Sequence, residues 1–310
     1  MVEGTVVRVS RTECEAEVDG NRVKFHVRGG TIRAAGGKNP VRVGDRVRLS
    51  VHSGTIVLEE VLPRDSILQR TTTAHGRSVR REVAANLAMA IFVIPAVEAD
   101  PAMRPRRLRL LDRMLVSAEH ADLPALVCVN KTDLVTDQSE LAAMIGIYQR
   151  VGYRVLQTCA PAGDGVEDLR ASLPAGLSAF VGPSGAGKTS LITALTGRHD
   201  LKTLSVSAST GKGRHATTAS EAFELDGGRW VVDVPGLRSF GLEDVEKEDL
   251  AYCFAEFRDF LGHCDNRWCT HLIEDGCAVL AAVDVGGITP ARHDSYRRLM
   301  VDQNRDQRQG

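Results

Sequence analysis

Hydrophobic and polar residues alternate in short runs along the N-terminal part of the chain, a period of two that predicts β-strands. Turn-forming stretches, such as Asp19-Gly20-Asn21 and His52-Ser53-Gly54, separate neighbouring runs. Five strands in so short a span predict a small closed barrel over residues 1–62, for which an OB-type β-barrel is the natural candidate. The predicted strands are Thr5–Val9, Cys14–Val18, Arg22–Val27, Arg46–Val51 and Thr55–Leu58.

From Ala88 onward the alternation gives way to continuous apolar runs separated by amphipathic helical stretches. Strands that are buried on both faces lose their alternation, so the pattern predicts a mostly parallel sheet with helices on both sides. We assign this α/β domain to residues 86–241. Its predicted strands are 88–94, 124–129, 153–157, 178–181 and Trp230–Val232, and its predicted helices are about 104–119, 138–150 and 188–196.

Two further segments complete the predicted multidomain α/β organisation. Residues 63–85 are polar, with several arginines and threonines and few apolar anchors, and we interpret them as a linker or mobile loop. Residues 242–310 show no strand pattern and are predicted to form a helical domain. Thr289 and Pro290 are the residue types of an N-cap and a first helical position, which predicts a basic final helix starting there.

Composition narrows the classes of function. The 310 residues carry a net charge of −1 with 25% charged residues, so nucleic-acid binding would have to come from a local patch. The charged N-terminus lacks the apolar core of a secretion signal, and no apolar run approaches the ~18 residues needed to cross a bilayer. Cysteines scattered in apolar surroundings are then most simply reduced core thiols. We expect a monomeric cytoplasmic protein with no membrane partner.

A glycine-rich segment between a predicted strand and a predicted helix has the form of a Walker A loop, Gly182-Pro183-Ser184-Gly185-Ala186-Gly187-Lys188-Thr189. Its glycines would let backbone N–H groups wrap a triphosphate. Lys188 would reach the β and γ phosphates, and the Thr189 hydroxyl would ligate Mg²⁺. Ser190 continues the helix whose N-terminus faces the phosphates. The alternative is a plain Gly-rich turn between a strand and a helix.

A second motif comes earlier in the chain. Asn130-Lys131-Thr132-Asp133 follows an apolar strand and has the N-K-x-D form with which GTPases read guanine. The Asp133 carboxylate would accept hydrogen bonds from N1–H and N2–H₂ of guanine, whereas adenine presents an acceptor at N1. The alternative is a turn in which Asp133 caps the following helix. Cys159 and Ala160, just after another strand, stand where GTPases place a short base-supporting segment.

The two motifs occur in the reverse of the usual GTPase order, in which the phosphate cradle comes first and the base reader last. This order predicts a circularly permuted P-loop GTPase domain that binds GTP and GDP. A P-loop alone would not choose GTP over ATP, so the choice of GTP depends on the N-K-x-D motif.

A third motif follows the predicted strand Trp230–Val232. Asp233-Val234-Pro235-Gly236 has the D-x-P-G form of a segment that senses the γ-phosphate. Asp233 would hold Mg²⁺ through water, and the Gly236 N–H would touch the γ-phosphate. A Gly-rich basic loop, residues 211–218, precedes this strand. In that loop Thr217, or as second choice Thr218, would complete the Mg²⁺ shell.

The residue after this motif changes the expected catalysis. Leu237 stands where many GTPases have a glutamine that orients the attacking water, and leucine cannot do so. His215 in the basic loop is the available candidate for the catalytic residue, because its side chain can position water. The alternative is a loop histidine that contacts a partner or solvent.

Four residues near the C-terminus have the spacing of a metal site: Cys264, Cys269, His271 and Cys277. Tetrahedral Zn²⁺ accepts three thiolates and one imidazole, and a site with all four positions filled by protein is structural. We therefore predict one structural zinc ion per chain. His263 is a possible substitute ligand, and the alternative to a metal site is a set of core cysteines.

With these motifs assembled, the chain resembles the RsgA (YjeQ) family of circularly permuted GTPases. The resemblance covers nearly the whole chain and is carried by N-K-T-D ahead of G-P-S-G-A-G-K-T, by G-R-H-x-T-T, by D-V-P-G-L and by C-x4-C-x-H-x5-C. It implies GTP hydrolysis that is stimulated by the small ribosomal subunit and assists its late maturation. It also implies His215 as the switch histidine. Ala216 departs from the threonine common in the family, and Thr158-Cys159-Ala160 is a loose version of the base-supporting segment.

The expected partners are the small ribosomal subunit and its rRNA, bound through the barrel and the zinc domain. A loop in the barrel region carries four basic residues that could meet phosphates, and the alternative is a solvated face. These residues are Arg28, Arg33, Lys38 and Arg42. Two other functions stay open: a GTP-binding RNA scaffold with negligible turnover, and an ATP-using P-loop kinase.

Overall fold

The computed structural model describes residues 1–10, 13–36, 39–74, 77–97, 104–198, 220–234 and 245–306. The described strands are β1 Val2–Val9, β2 Glu13–Val18, β3 Asn21–His26, β4 Arg46–His52, β5 Thr55–Val61, β6 Ile67–Ala74, β7 Arg77–Ala85, β8 Leu87–Pro95, β9 Ala125–Asn130, β10 Arg154–Thr158, β11 Gly176–Val181, β12 Ser220–Glu224 and β13 Arg229–Asp233. The described α-helices are α1 Gly29–Ala34, α2 Arg104–His120, α3 Gln138–Arg150, α4 Val166–Ser172, α5 Lys188–Thr196, α6 Lys247–Leu250, α7 Ala278–Asp284 and α8 Pro290–Asp306. Short 3₁₀ turns occupy Thr132–Leu134 and Ala255–Phe260.

The first five strands close into a barrel in the order β1-β2-β3-β5-β4, with β4 returning to β1. Strand β1 serves both neighbours because a bulge between Val6 and Arg8 bends it. Its first half pairs with β4 and its second half with β2. Phe25 and Leu49 fill the interior without exposed surface. The predicted barrel is confirmed, and each predicted strand overlaps an observed one.

The central sheet has the order β10-β9-β8-β11-β13-β12 and is parallel except for β12. Neighbouring residues of each strand face opposite layers. Phe92 packs in the cluster that contains α2 and α3, whereas Val93 packs in the cluster that contains α4 and α5. Burial on both faces explains the continuous apolar runs, as predicted. Helices α3 and α5 have the predicted bounds.

The predicted linker at residues 63–85 contains regular structure. Strands β6 and β7 form an antiparallel hairpin whose register runs from Ile67 opposite Ala85 to Ala74 opposite Arg77. The hairpin is anchored at its base, where Leu68 and Ala84 are buried in the core of the central sheet. The expectation of a loop was wrong, because the β-branched residues of this segment favour strands despite its many arginines.

The barrel and the central sheet are joined by strand pairing. Backbone pairs between Arg8 and Glu221 and between Val9 and Ser220 connect β1 to β12, so the two sheets form one continuous ladder. Strand β12 was not predicted. A second link is the buried Asp45 carboxylate, which accepts from Arg64 at 2.6 and 2.9 Å, while Arg64 also donates to Glu82 of the hairpin at 2.9 Å.

The C-terminal region is helical, as predicted, and packs on α2. Val116 of α2 belongs to the same apolar cluster as Phe254, Phe257 and Tyr296. Thr289 Oγ1 accepts from the Arg292 N–H at 3.4 Å, in keeping with its predicted position as the N-cap of α8. Among the described residues, no helix combines the length and apolar character required to cross a membrane.

A buried ion cluster fixes this packing. The Arg292 guanidinium on α8 is 1% exposed and donates to Asp112 Oδ1 on α2 at 2.6 Å and to Glu256 Oε1 at 2.6 Å. Tyr148 on α3 donates to the same Asp112 oxygen at 3.1 Å. Burial lowers the pKa of the Arg292 guanidinium, but the charges of the two carboxylates raise it by more. The net result is a raised pKa. The helical region is therefore attached to both α2 and α3.

Candidate nucleotide site and metal centre

Strand register brings the predicted nucleotide motifs to one edge of the central sheet. Asn130 at the end of β9 pairs with Thr158 at the end of β10, and Phe180 near the end of β11 pairs with Asp233 at the end of β13. The carboxyl ends of parallel strands are the usual position of ligand sites in α/β sheets. The loops that follow these strands therefore share one side of the molecule.

The loop after β11 has the backbone of a phosphate cradle. Gly185 and Gly187 have φ of 81° and 95°, a region that side chains strongly disfavour. A Cβ at Gly182 would lie 2.0 Å from the Val93 carbonyl oxygen, so this position also requires glycine. Helix α5 begins directly afterwards at Lys188, which aims its N-terminal N–H groups toward the loop.

Lys188 lies inside this loop. The residue is 7% exposed, and its Nζ donates to the carbonyl oxygens of Gly182 at 2.8 Å and Pro183 at 3.1 Å. Burial lowers the pKa of its ammonium group, while the negative charge of Asp233 acts in the opposite direction. A buried cation next to backbone N–H groups is suited to bind an anionic ligand.

Thr189 and Asp233 form the oxygen-rich part of the site. Thr189 Oγ1 donates to Asp233 Oδ2 at 2.7 Å. Asp233 Oδ1 is buried and finds no hydrogen-bond partner among the described residues. Burial raises the pKa of this carboxyl, opposed by the Thr189 hydrogen bond and the charge of Lys188. A hydroxyl beside a carboxylate with an unsatisfied oxygen fits a hydrated Mg²⁺ ion, which prefers such ligands.

Asn130 connects the base-reading motif directly to the cradle. Its Nδ2 donates to the Ala186 carbonyl oxygen at 2.9 Å, and a Cβ at Gly187 would lie only 2.2 Å from that nitrogen. Its Oδ1 accepts from Thr158 Oγ1 at 3.1 Å and from the Ala160 N–H at 3.3 Å. Both ends of the buried Asn130 amide are thus satisfied. The two motifs, separated and reversed in the chain, form one site.

The rest of the base-reading motif projects outward from Asn130. Lys131 adopts a left-handed conformation with φ of 66° and leads into the 3₁₀ turn that contains Asp133. The exposed Asp133 carboxylate accepts from Cys159 Sγ at 3.1 Å, and Thr132 Oγ1 donates to the Thr158 carbonyl oxygen at 3.2 Å. Cys159 and Ala160 thereby lie beside the motif, as the sequence suggested.

The alternative role for Asp133, capping the next helix, does not apply. Asp137 caps α3, because its carboxylate accepts from the N–H groups of Ser139 and Glu140 at 2.9 and 3.2 Å. Thr158 is fully buried, and its hydroxyl orients the Asn130 amide, a role that was not predicted. Its position at the end of the strand next to β9 was the signal that would have found it.

Several predicted residues lie outside the described part of the chain, so the structure adds nothing about their placement. They are Lys38, His215, Thr217, Thr218, Gly236 and Leu237.

The basic residues of the barrel that were predicted to meet phosphates have different surroundings, as far as the structure describes them. Arg42 donates to the carbonyl oxygens of Asn39, Val41 and Glu82, so its guanidinium holds the barrel against the hairpin. Arg28 forms an ion pair with Glu59 at 3.0 Å. Arg33 is exposed on α1. Three main-chain acceptors surround the Arg42 guanidinium, and contact of this residue with phosphates stays a prediction.

The cysteine-rich segment gathers its four predicted ligands. Their potential ligand atoms all lie within 4.8 Å of one another. His271 Nδ1 is 3.5 Å from the sulfurs of Cys264 and Cys277, and these two sulfurs are 3.9 Å apart. Zn–S bonds of about 2.3 Å and Zn–N bonds of about 2.0 Å would place ligand atoms roughly 3.5–3.8 Å apart in a tetrahedron. The geometry fits a metal of that size, and His263 is not part of the described cluster.

The backbone around this cluster is arranged to support ligands. The N–H groups of Ala278 and Leu280 point at the sulfurs of Cys264 and Cys277, at 3.4 and 3.5 Å. Such donors stabilise thiolates, the form that binds a metal. His271 adopts a left-handed backbone with φ of 59°, and its carbonyl oxygen contacts His293 Nε2 at 2.8 Å. Helix α8 thus fixes the loop that carries the imidazole.

The family model described as RsgA GTPase matches residues 61–243. The chain is 38% identical over 308 residues to the Small ribosomal subunit biogenesis GTPase RsgA of Chlorobaculum parvum, covering 96% of this chain and 97% of that protein. The protein of the same name from Azotobacter vinelandii is 41% identical over 262 residues, covering 83% of this chain and 74% of that protein.

Solved structures show the same architecture. The crystal structure of YjeQ from Thermotoga maritima matches with a TM-score of 0.74 and 28% identity, covering 97% of this chain and 98% of that one. The structure of YloQ, a circularly permuted GTPase, matches with a TM-score of 0.73 and 26% identity, covering 98% and 96%.

A parallel sheet whose base-reading loop precedes its phosphate loop defines a circularly permuted P-loop GTPase. The matched structures cover nearly all of the chain, including the barrel before this sheet and the cysteine-rich helical region after it. The chain belongs to the RsgA GTPase family.

Proposed function

We propose that this protein hydrolyses GTP to GDP and phosphate and assists late maturation of the small ribosomal subunit. The observation that carries the proposal is the hydrogen bond from Asn130 to the Ala186 carbonyl oxygen, which makes one site of the base reader and the cradle. The names of the relatives, small ribosomal subunit biogenesis GTPases, supply the cellular process.

Guanine selection would depend on Asp133. Its carboxylate is exposed at the end of the motif and would accept the N1–H and N2–H₂ donors of guanine. The Cys159 thiol donates to Oδ1 of the same carboxylate, which holds it in one orientation before the base arrives. Adenine would set an acceptor against the carboxylate, and the unpaired contact would weaken ATP binding.

The phosphates would be held by the cradle. Lys188 would exchange the carbonyl oxygens of Gly182 and Pro183 for phosphate oxygens, which are stronger partners for an ammonium group. Thr189 and Asp233 would hold Mg²⁺, with the buried Asp233 Oδ1 accepting from a water of its shell. When bound, Mg²⁺ neutralises the charge that develops on the phosphates during transfer.

Positioning of the attacking water is assigned to His215, since Leu237 offers no polar group at the usual place. Thr217, with Thr218 as second choice, would complete the Mg²⁺ shell. The test is single-turnover hydrolysis by the His215→Ala variant, which should bind GTP almost normally and turn over at least about tenfold more slowly. An unchanged rate would remove His215 from the mechanism.

The flanking regions would bind rRNA. The OB-type barrel offers the exposed Arg33 on α1, and the C-terminal region would be stabilised by one zinc ion bound to Cys264, Cys269, His271 and Cys277. We assign the protein to the cytoplasm as a monomer.

The decisive experiment compares hydrolysis of GTP and ATP with and without purified small ribosomal subunits. We expect GTP hydrolysis that rises when subunits are added, and no competition from a roughly hundredfold excess of ATP. GTP binding without turnover, even on subunits, would favour the RNA scaffold, a reading supported by Leu237. Equal competition by ATP would favour a P-loop kinase.

A further inference from the structure

A basic groove lies where α2 of the central domain meets α8 of the C-terminal region. The cavity has a volume of about 490 Å³. Its lining residues are Arg109 from α2 and Arg297, Arg298, Val301 and Asp302 from α8. None of them belongs to the nucleotide site or to the metal centre.

The groove carries an excess of positive charge. Arg297 and Arg298 both pair with Asp294, at 3.4 and 2.7 Å, so two guanidinium groups share one carboxylate. Asp302 pairs with Arg113 of α2 at 3.4 Å. Three guanidinium groups and one carboxylate line the groove, and the ion-pair partners Arg113 and Asp294 bring these described groups to four guanidiniums and two carboxylates. Arg297 and Arg298 are about half exposed, and ion pairs this exposed are weak, so an incoming anion can take over these donors.

The two walls of the groove are held at a fixed separation. Arg292 lies on α8, about one and a half turns before Arg297. Its buried guanidinium donates a hydrogen bond to Asp112 on α2 and so ties the two helices together. A binding site whose charged groups are already in place loses less conformational entropy when the ligand arrives. The groove is therefore a preorganised surface that exists only while the two domains are docked.

The composition of the groove favours a polyanion over a protein partner. Val301, 44% exposed, is the one apolar residue among those described as lining the groove, and a single valine is a poor anchor compared with the aromatic residues of protein interfaces. Guanidinium groups are planar forks that match the oxygens of phosphate. The carboxylate of Asp302 is already engaged by Arg113, which reduces its repulsion of a phosphate.

We propose that this groove binds the phosphodiester backbone of RNA across the junction of the two domains. The inference deepens the proposed function and rests on it, because the RNA would be that of the small ribosomal subunit. Contacts to phosphates fix orientation rather than sequence. The groove would therefore set how the GTPase and the helical region sit on the RNA.

The test measures the affinity of the full-length protein for purified small subunits over a series of KCl concentrations, with a non-hydrolysable GTP analogue present. Arg109→Gln and Arg297→Gln should each weaken binding about fivefold and reduce the slope of log K against log salt by about one. Arg109→Lys should keep the wild-type slope, because it keeps the charge. Arg154→Gln, an exposed arginine on β10, is the matched control and should bind as wild type does.

Each outcome separates the possibilities. Unchanged affinity and slope in both glutamine variants, with normal binding by the wild type, would overturn the groove and leave the proposed function standing. Weaker binding with an unchanged slope would mean that the groove contacts a ribosomal protein, which also overturns the inference. If the wild type fails to bind subunits, the proposed function fails, and a 20-base-pair RNA hairpin becomes the probe. With that hairpin, variants that keep the wild-type slope of log K against log salt would overturn the inference. Shallower slopes in the variants would support it.

Discussion

The nucleotide site and the metal centre are both built at loops, but they are assembled in opposite ways. The nucleotide site collects residues from strands far apart in the chain, and the pairing of β9 with β8 and of β8 with β11 brings the loops of Asn130 and Ala186 together. The metal centre takes its ligands from one short stretch between Cys264 and Cys277, where the structure has turns and no strand. A site built on a sheet keeps its shape without its ligand, whereas a site built on turns depends on the ion that it binds.

The largest expected effect is on the metal centre. Cys277→Ser should remove a ligand whose Sγ lies 3.5 Å from His271 Nδ1, and the C-terminal region should lose several kcal/mol, since structural zinc contributes about 10–16 kcal/mol in zinc-finger peptides. Metal analysis and thermal unfolding measure it. Cys253→Ala removes an equally buried thiol from the same core and is the control. Full zinc content in Cys277→Ser would contradict the assigned ligand set.

The second effect concerns the attachment of the helical region. Arg292→Met should leave the carboxylates of Asp112 and Glu256 buried without their partner, at a cost of about 3–5 kcal/mol. Urea unfolding measures the loss. The exposed Arg298→Met, which breaks only the surface pair with Asp294, should change stability by less than about 1 kcal/mol. Similar losses in the two variants would mean that burial of the cluster is unimportant.

A substitution in the nucleotide site should have a smaller effect on stability and should instead weaken GTP binding. Asp133→Asn should weaken GTP binding about 10- to 100-fold, because the amide cannot accept both guanine donors, while stability stays close to wild type since the side chain is exposed. Asp137→Asn tests the opposite case. This N-cap of α3 should keep GTP affinity and leave stability within about 1 kcal/mol. Titration with a fluorescent guanine nucleotide measures both, and equal affinity in the two variants would refute the assignment of Asp133.

The smallest expected change in stability is a gain. Burial raises the pKa of Asp233, so ionising this carboxyl disfavours the folded state once the pH passes the ordinary value for aspartate. Asp233→Asn should therefore melt slightly higher than wild type near neutral pH, and the difference should vanish at low pH, where the wild-type carboxyl is protonated too. Mg²⁺-dependent hydrolysis should fall at least about 100-fold. A lower melting temperature at neutral pH would show that the Thr189 and Lys188 contacts outweigh burial.

Local patterns were enough to predict most elements of the fold. The bounds of α3 and α5 were predicted correctly, because each begins and ends at a clear change in periodicity. Strand β12 and its pairing with β1 were missed, since no local signal shows which distant edge a short strand will join. The hairpin at 67–85 was missed because most of its apolar residues lie at its base and the rest of both strands is largely polar.

The candidate sites also contain features that local sequence predicts and features that it does not. The ligand spacing from Cys264 to Cys277 is a property of one segment, so the metal centre could be predicted as a unit. The glycines of the cradle could be predicted from the demands of phosphate binding. The bridge from Asn130 to Ala186 and the capture of Arg42 by three carbonyl oxygens could not, because each depends on where a remote backbone lies.

The junction between β1 and β12 has a further consequence. Ser220, the first residue of β12, is bonded in register to Val9 of the barrel, and in the sequence only Ala219 separates it from Thr218. Thr218, the second choice for the Mg²⁺ shell, is thus two positions in sequence from a strand that pairs directly with the barrel. Because β12 also pairs with β13, a single strand separates the barrel from the strand that ends at Asp233.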